Sequence, residues 1–204
     1  MPSVNWYIQR LKSMSPLEII WRVQSLVRDK TDPLRFALGW YPSAESINKA
    51  AETAADPAFS CSAIPVGQWR ASESKQEHAW RRKLQAQADK ICEHKLSFFD
   101  LVDCELGDPI DWHKDHASGV QAPVTAITKI DYRNFAVNGD CKLVWEPNRH
   151  HQFVVLGRAY RATGETRYAQ ALLEQLGSWF EQNPFAKGMN WRSPLELGIR
   201  LINW

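Results

Sequence analysis

No hydrophobic run in this sequence is long enough to span a membrane. The opening residues, Met1 to Ser15, carry Asn5, Gln9, Arg10 and Lys12 and lack the apolar centre of a secretory signal, so the compartment stays open. An excess of one charge is missing too. A formal net charge of +2 over 204 residues argues against a general nucleic-acid binder, which needs a large basic surplus. Cysteine is sparse. Cys61, Cys92, Cys104 and Cys141 form no CxxC pair, which disfavours a zinc cluster and a disulfide scaffold and leaves room for one or two bridges. Nucleophile elbow, P-loop, dinucleotide fingerprint and HExxH are all absent. No cofactor and no metal is expected.

What is present is an apolar fraction of 44%, enough for a core, and ten tryptophans. Indole rings bury well and also stack on the C–H faces of sugars. Ser15-Pro16 with Glu18 reads as a capped helix start, and Leu17, Ile20, Val23 and Val27 carry an apolar stripe to about Lys30. Thr31-Asp32-Pro33 is expected to end it. Arg10, Lys12, Arg22, Arg28, Lys30 and Arg35 cluster here, either as a solvated helix face or as a contact for an acidic polymer or membrane surface. Prolines break residues 32 to 74, where a short helix over about 44–55 and a loop or strand over 65–70 are expected. A strong helix follows over 75–95, with Trp80, Leu84, Ala88 and Ile91 on one face.

Residues 96 to 144 read as irregular, with Phe98, Phe99 and Leu101 expected to be buried and Gly107-Asp108-Pro109 as a turn. Asp111-Trp112-His113-Lys114-Asp115-His116 could hold a metal or a sugar by composition, but a loop with local Asx turns is the better account. From Asn148, taken as an N-cap, the pattern becomes regular. Phe153, Leu156, Ala159 and Tyr160 face one way, Gly164 ends that helix, and a second runs to Gln182 before Asn183-Pro184. Ser193-Pro194-Leu195-Glu196 opens a last helix that is apolar almost all round and so calls for burial by neighbours. It runs to Trp204 without a stop signal, so the chain reads as cut inside a helix.

Two polar clusters sit at helix mouths. Asn148, Arg149, His150 and His151 combine the anion-friendly start of a helix with a guanidinium fork and imidazoles. Asn190, Trp191, Arg192 and Glu196 repeat the theme, with a ring to stack on a sugar and an Arg to grip its acid group. The plainer account is structural: a capped helix start, and a Glu196–Arg200 pair on an apolar helix.

Lys142-Leu143-Val144-Trp145-Glu146-Pro147-Asn148-Arg149-His150-His151 resembles the K-x-x-W-E-x-x-R-H segment of the heparinase II/III-type polysaccharide lyases. Ala159 to Glu165, Asn190 to Glu196 and Arg200 to Trp204 are similar as well. So are Pro109-Ile110-Asp111-Trp112-His113, which matches an I-D-W loop, and Tyr7 to Arg28. The resemblance is best over about 96–204. It implies a mainly α fold, an incomplete (α/α) toroid of helical hairpins with an irregular N-terminal half. An N-terminal segment would span 1–74, and the toroid would start over 75–204, with further toroid and a β-sandwich to follow in cis. It implies β-elimination at a uronic acid within an anionic polysaccharide or oligosaccharide. The family's catalytic groups fall downstream of these motifs, so none is assigned here, and the eight residues of the two clusters would at most line the substrate groove. Members are often periplasmic or linked to surface-polysaccharide loci. A different class of function is a non-catalytic polysaccharide-binding or tetratricopeptide-like scaffold module. Leu156, Gly157, Tyr160 and Ala169 have that repeat's spacing, but no second copy follows at a period near 34.

Overall fold

The computed structural model describes residues 6, 9–10, 13–39 and 75–204, with nothing stated for the side chain of residue 36. The helix expected over 44–55 and the segment at 65–70 lie outside the described residues. The chain divides into two units, Met1–Phe59 and Ser60–Trp204.

In the first unit, α1 spans Pro16–Ala37. Ser15 caps it, its Oγ accepting from the Glu18 amide at 3.2 Å, and Glu18 pairs with Arg22 at 2.9 Å. The helix does not stop at Thr31 as the sequence suggested; it carries Pro33 within it. Proline removes one helical donor, but its neighbours support the turns around it. Thr31 Oγ1 donates to Val27 O at 3.0 Å, and Arg35 reaches Asp32 at 3.1 Å.

The second unit is mainly helical. α2 (Lys75–Cys92) buries Leu84, Ala88 and Ile91, at i, i+4 and i+7. An antiparallel hairpin follows, β1 (Lys95–Phe98) with β2 (Leu101–Glu105), in the register Lys95↔Glu105 and Leu96↔Cys104. No residue pattern announces it, because the strands are only four and five residues long and the turn is Phe99-Asp100, without glycine. Phe99 takes φ 51° and is exposed, not buried; Phe98 is buried and Leu101 half-buried. Ser97 Oγ accepts from the Asp103 amide at 2.9 Å, and Asp103 reaches back to Lys90 on α2 at 2.6 Å.

Loops occupy 106–134, apart from a 3-10 turn at Ile127–Lys129. α3 (Phe135–Asn138), α4 (Cys141–Asn148), α5 (His151–Thr163) and α6 (Thr166–Gln182) come next. A 3-10 turn at Met189–Trp191 leads to α7 (Pro194–Asn203). α2, α5 and α6 pack around Leu84, Ala88, Ile91, Phe153, Leu156, Ala159 and Tyr168. A second core joins the hairpin to α6 through Phe98, Leu106, Ile110, Trp112 and Trp179. A third, of Ala122, Ile130, Val144 and Met189, lies under α4.

The last helix reverses the expectation from its composition. α7 buries its charged face, with Glu196 and Arg200 each 1% exposed, while Leu201 and Ile202 are 70% and 84% exposed. Glu196, Arg200 and Asn203 recur at i, i+4 and i+7, and it is this face that meets α4 and α5.

The 106–140 loops are pinned at Asp115. Its carboxylate accepts from the amides of Ala117 (2.9 Å), Ser118 (3.2 Å) and Asp140 (2.9 Å) and from Ser118 Oγ (2.6 Å). Burial pushes this carboxyl up, but those bonds outweigh it and hold it below the usual range. Gly139 lies against it at φ 67°, where a Cβ would come within 2.5 Å of Asp115 Cβ. Gly139→Ala therefore combines a left-handed backbone with a clash against a pinned side chain. We expect it to destabilise the unit by about 3 kcal/mol, read as a lower urea midpoint. An unchanged midpoint would show that the loop yields freely.

Candidate functional site

The two clusters identified in the sequence meet in space. Asn148 does not cap α5 but ends α4, and Arg149 follows in helical conformation. His150 then takes the left-handed region, φ 62° and ψ 29°, and becomes the N-cap of α5. That single reversed residue sends Arg149 toward α7 and turns the His150 ring into the core. Histidine tolerates this conformation better than most side chains do.

Asn148 is fully buried and fully used. Its Nδ2 donates to Trp112 O at 2.8 Å and Val144 O at 2.6 Å, and its Oδ1 accepts from Trp179 Nε1 at 2.7 Å. Asn190, also buried, donates to the same Trp112 carbonyl at 3.1 Å and to Asn183 Oδ1 at 2.8 Å. Arg200 closes this lattice. It donates to Asn148 O at 3.4 Å and to Asn190 O, and its guanidinium lies 5.1 Å from the Trp179 ring centre. Burial pulls its pKa down to about 10, against a small upward pull from Glu196.

Glu196 does not pair with Arg200. Its carboxylate takes a two-pronged bond from Arg149, Nε at 2.8 Å and Nη2 at 2.9 Å, across 47 residues of sequence. Arg149 Nη1 also reaches Glu146 at 2.5 Å. The Glu196 bonds hold the Arg149 guanidinium above its usual pKa, beyond the opposing effect of burial.

The His150 ring is completely buried. Phe153 stacks on it at 4.4 Å and Trp204 at 5.8 Å, and Trp112 and Trp179 meet it edge-on at 5.5 and 5.3 Å. Its Nδ1 accepts from Trp204 Nε1 at 2.7 Å, which places the ring proton on Nε2. Burial, then the Arg200 charge, then His151, push its pKa down to about 3.

The surface of the site belongs to the other residues. His151 and Arg192 are exposed and Trp191 is half-exposed. Trp191 Nε1 donates to Asn183 O at 3.1 Å, and its ring rests 5.6 Å from Trp179. His151 Nδ1 faces Asn203 Nδ2 at 3.0 Å. It lies on the wall of a cleft of about 150 Å³ between the hairpin and the α4–α5 junction, whose charged lining residues are paired, Lys90 with Asp103, Lys95 with Glu93 and Glu146 with Arg149. Arg192 lies 5.6 Å from the Tyr132 ring centre.

The loop at 111–116 is built by Asx turns. Asp111 Oδ1 accepts from the His113 amide at 3.0 Å and Asp115 from those of Ala117 and Ser118. His113 Nε2 meets Gln182 O at 2.9 Å. Among the described residues no three His, Cys, Asp or Glu side chains gather as a metal site, and no helix is long and apolar enough to cross a membrane. Trp112, whose carbonyl takes both asparagines, was noted in the sequence only as part of the 109–116 loop and Asn183 only as a helix end, so neither was assigned to the site. Tyr132 and Arg133 were missed on the surface, since they lie in a loop without periodicity.

Residues 35–204 match the family model described as heparinase II/III N-terminus. The chain belongs to this family. The fork between Arg149 and Glu196 thus joins two segments that both lie within the matched region. The heparin-sulfate lyase of Bacteroides stercoris is similar, 38% identical over 58 residues. That stretch is 28% of this chain and 9% of the relative, so the chain covers only a small share of that protein's length. No solved structure matches.

Proposed function

We propose that the chain is the N-terminal part of a polysaccharide lyase that cleaves a uronic-acid-containing anionic polysaccharide by β-elimination. The observation that carries this is the family match over residues 35–204, and the related heparin-sulfate lyase supports a polysaccharide substrate. In β-elimination the sugar carboxylate is neutralised, which acidifies the adjacent C–H. A base takes that proton, the C–O bond to the leaving sugar breaks, and an acid protonates the departing oxygen. The product carries a new C=C bond.

This chain supplies one wall of the substrate groove, as the opening part of an (α/α) toroid, and not the groups that move protons. His151, Trp191 and Arg192 line that wall through their accessible surface. Asn148, Arg149, His150, Asn190 and Glu196 shape it from beneath. His150 makes a poor base here, because its proton sits on a buried nitrogen and its pKa is about 3.

The 204 residues incubated with heparin or alginate should release no ultraviolet-absorbing unsaturated uronide, while binding both more tightly than neutral dextran. Measurable turnover would overturn the claim that the proton-moving groups lie elsewhere. Equal binding to dextran would sink the groove-wall role.

A further inference from the structure

We propose that Arg133 and Arg192, gathered around the ring of Tyr132, form a subsite for the acidic substituents, sulfate or carboxylate, of an anionic polysaccharide. The proposal rests on the polysaccharide role given above and assigns residues to it. Three separate segments build the subsite. Tyr132 is half-buried and tilts against Trp145 at 6.4 Å, and Trp145 is itself fixed by its Nε1 donating to Met189 O at 3.0 Å. The Tyr132 loop is held by Asn138 Nδ2 donating to Asp131 O at 2.7 Å and by Asp131 Oδ1 accepting from the Arg133 amide at 3.1 Å. Onto this fixed ring come Arg192, which closes the 3-10 turn at Met189–Trp191, 5.6 Å from its centre, and Arg133, 5.7 Å from it.

What sets these two arginines apart is that they share one ring and that neither is taken up by a carboxylate. Arg22, Arg35, Arg81, Arg149 and Arg167 each pair with a carboxylate. Among the described residues, neither Arg133 nor Arg192 does. Both are exposed. Two guanidiniums beside one ring raise the local positive potential, and the ring's negative face offsets only part of it. An acidic group that docks here meets that potential and finds donors in planar forks suited to sulfate or carboxylate. The ring and its Trp145 backing hold both cations near their bound positions, which lowers the ordering cost of binding. A flexible lysine pair would lack that advantage.

The test titrates the 204-residue chain and its variants with heparin, alginate and neutral dextran over a range of salt. Arg133→Ala and Arg192→Ala should each weaken heparin binding by roughly 3- to 10-fold, and the double variant by more, with the melting temperature unchanged. Each loss should also flatten the salt dependence, since fewer counterions are released. Arg192→Lys should keep the salt dependence and still lose affinity, because the fork is gone. A loss confined to heparin assigns the subsite to sulfate, and a loss with alginate too assigns it to carboxylate as well. The control is Arg82→Ala with Lys83→Ala on the exposed face of α2, which should bind as the parent does. Undiminished binding by the Arg133/Arg192 double variant, or equal weakening by the control, overturns the subsite while leaving the groove-wall role standing. No binding of either acidic polymer by the parent chain overturns both.

Discussion

Arg149→Ala will lose on the order of 3–5 kcal/mol of folding stability near neutral pH. The reason is the partner left behind. Glu196 is 1% exposed, and its carboxylate is held by two bonds from Arg149. Without them a buried charge has no matching cation, since Arg200 spends its donors on the carbonyls of Asn148 and Asn190. A domain of ordinary stability has about 5–15 kcal/mol in all, so the variant sits near the edge of folding. The reverse deletion should be milder. Glu196→Gln keeps the shape and leaves Arg149 with Glu146 and some access to water, so about 1–2 kcal/mol is expected. Replacing both residues, Arg149→Met with Glu196→Leu, should recover much of the loss, because no charge is then stranded. Urea unfolding of the four proteins checks this. Similar midpoints for Arg149→Ala and Glu196→Gln would refute the account of Glu196 as a charge that depends on one partner.

Acid should destabilise the second unit progressively from about pH 6.5 downward. The ring of His150 is neutral when folded, with a pKa near 3, while in the unfolded chain a histidine titrates near 6.5. Above that value both states are neutral and the histidine is no burden. As pH falls below about 6.5 the unfolded chain takes up a proton that the folded chain refuses, so stability drops by about 1.4 kcal/mol per unit. The total by pH 3 is on the order of 4–5 kcal/mol. His116, also pushed down by burial, adds in the same direction. His150→Phe should be less stable at pH 7, because Trp204 Nε1 loses its acceptor, but its stability should fall much less between pH 6.5 and 4. Parent stability that is flat over that window, or a His150→Phe slope equal to the parent's, would rule out this role. Trp112, Trp179 and Trp204 all lie within 6 Å of the ring, so tryptophan fluorescence reports the transition directly.

Much of the frame was legible without coordinates. Local signals are strong where they are short in range. Ser15 with Glu18, Gly164 after α5 and Asn183-Pro184 after α6 mark ends through bonds or φ values set by a few neighbouring residues. The period of Leu84, Ala88 and Ile91 marks a core face for the same reason. The mainly helical class follows from patterns of this kind, while the family resemblance rests on motif segments such as 142–151 and 190–196.

One departure from expectation has a local cause: α1 runs past Pro33, supported by Thr31 and Arg35 within the same helix. The others were decided by tertiary structure. The Phe99-Asp100 turn has no glycine, and its hairpin is fixed by Asp103 bonding to Ser97 and to Lys90 on another element. The most apolar helix, α7, turns its two charged residues inward. Composition alone predicts the opposite, because hydropathy cannot register that Arg149 and two backbone carbonyls wait on the neighbouring helices. The sequence by itself determined which segments are helical, where most of them end, and that two polar clusters stand near helix ends. Only the packed chain decided that Asn148, His150, Asn190 and Glu196 face inward while His151, Trp191 and Arg192 face out. One left-handed residue at His150 separates those two fates, and a reversal of that kind depends on the four aromatic rings that close around it.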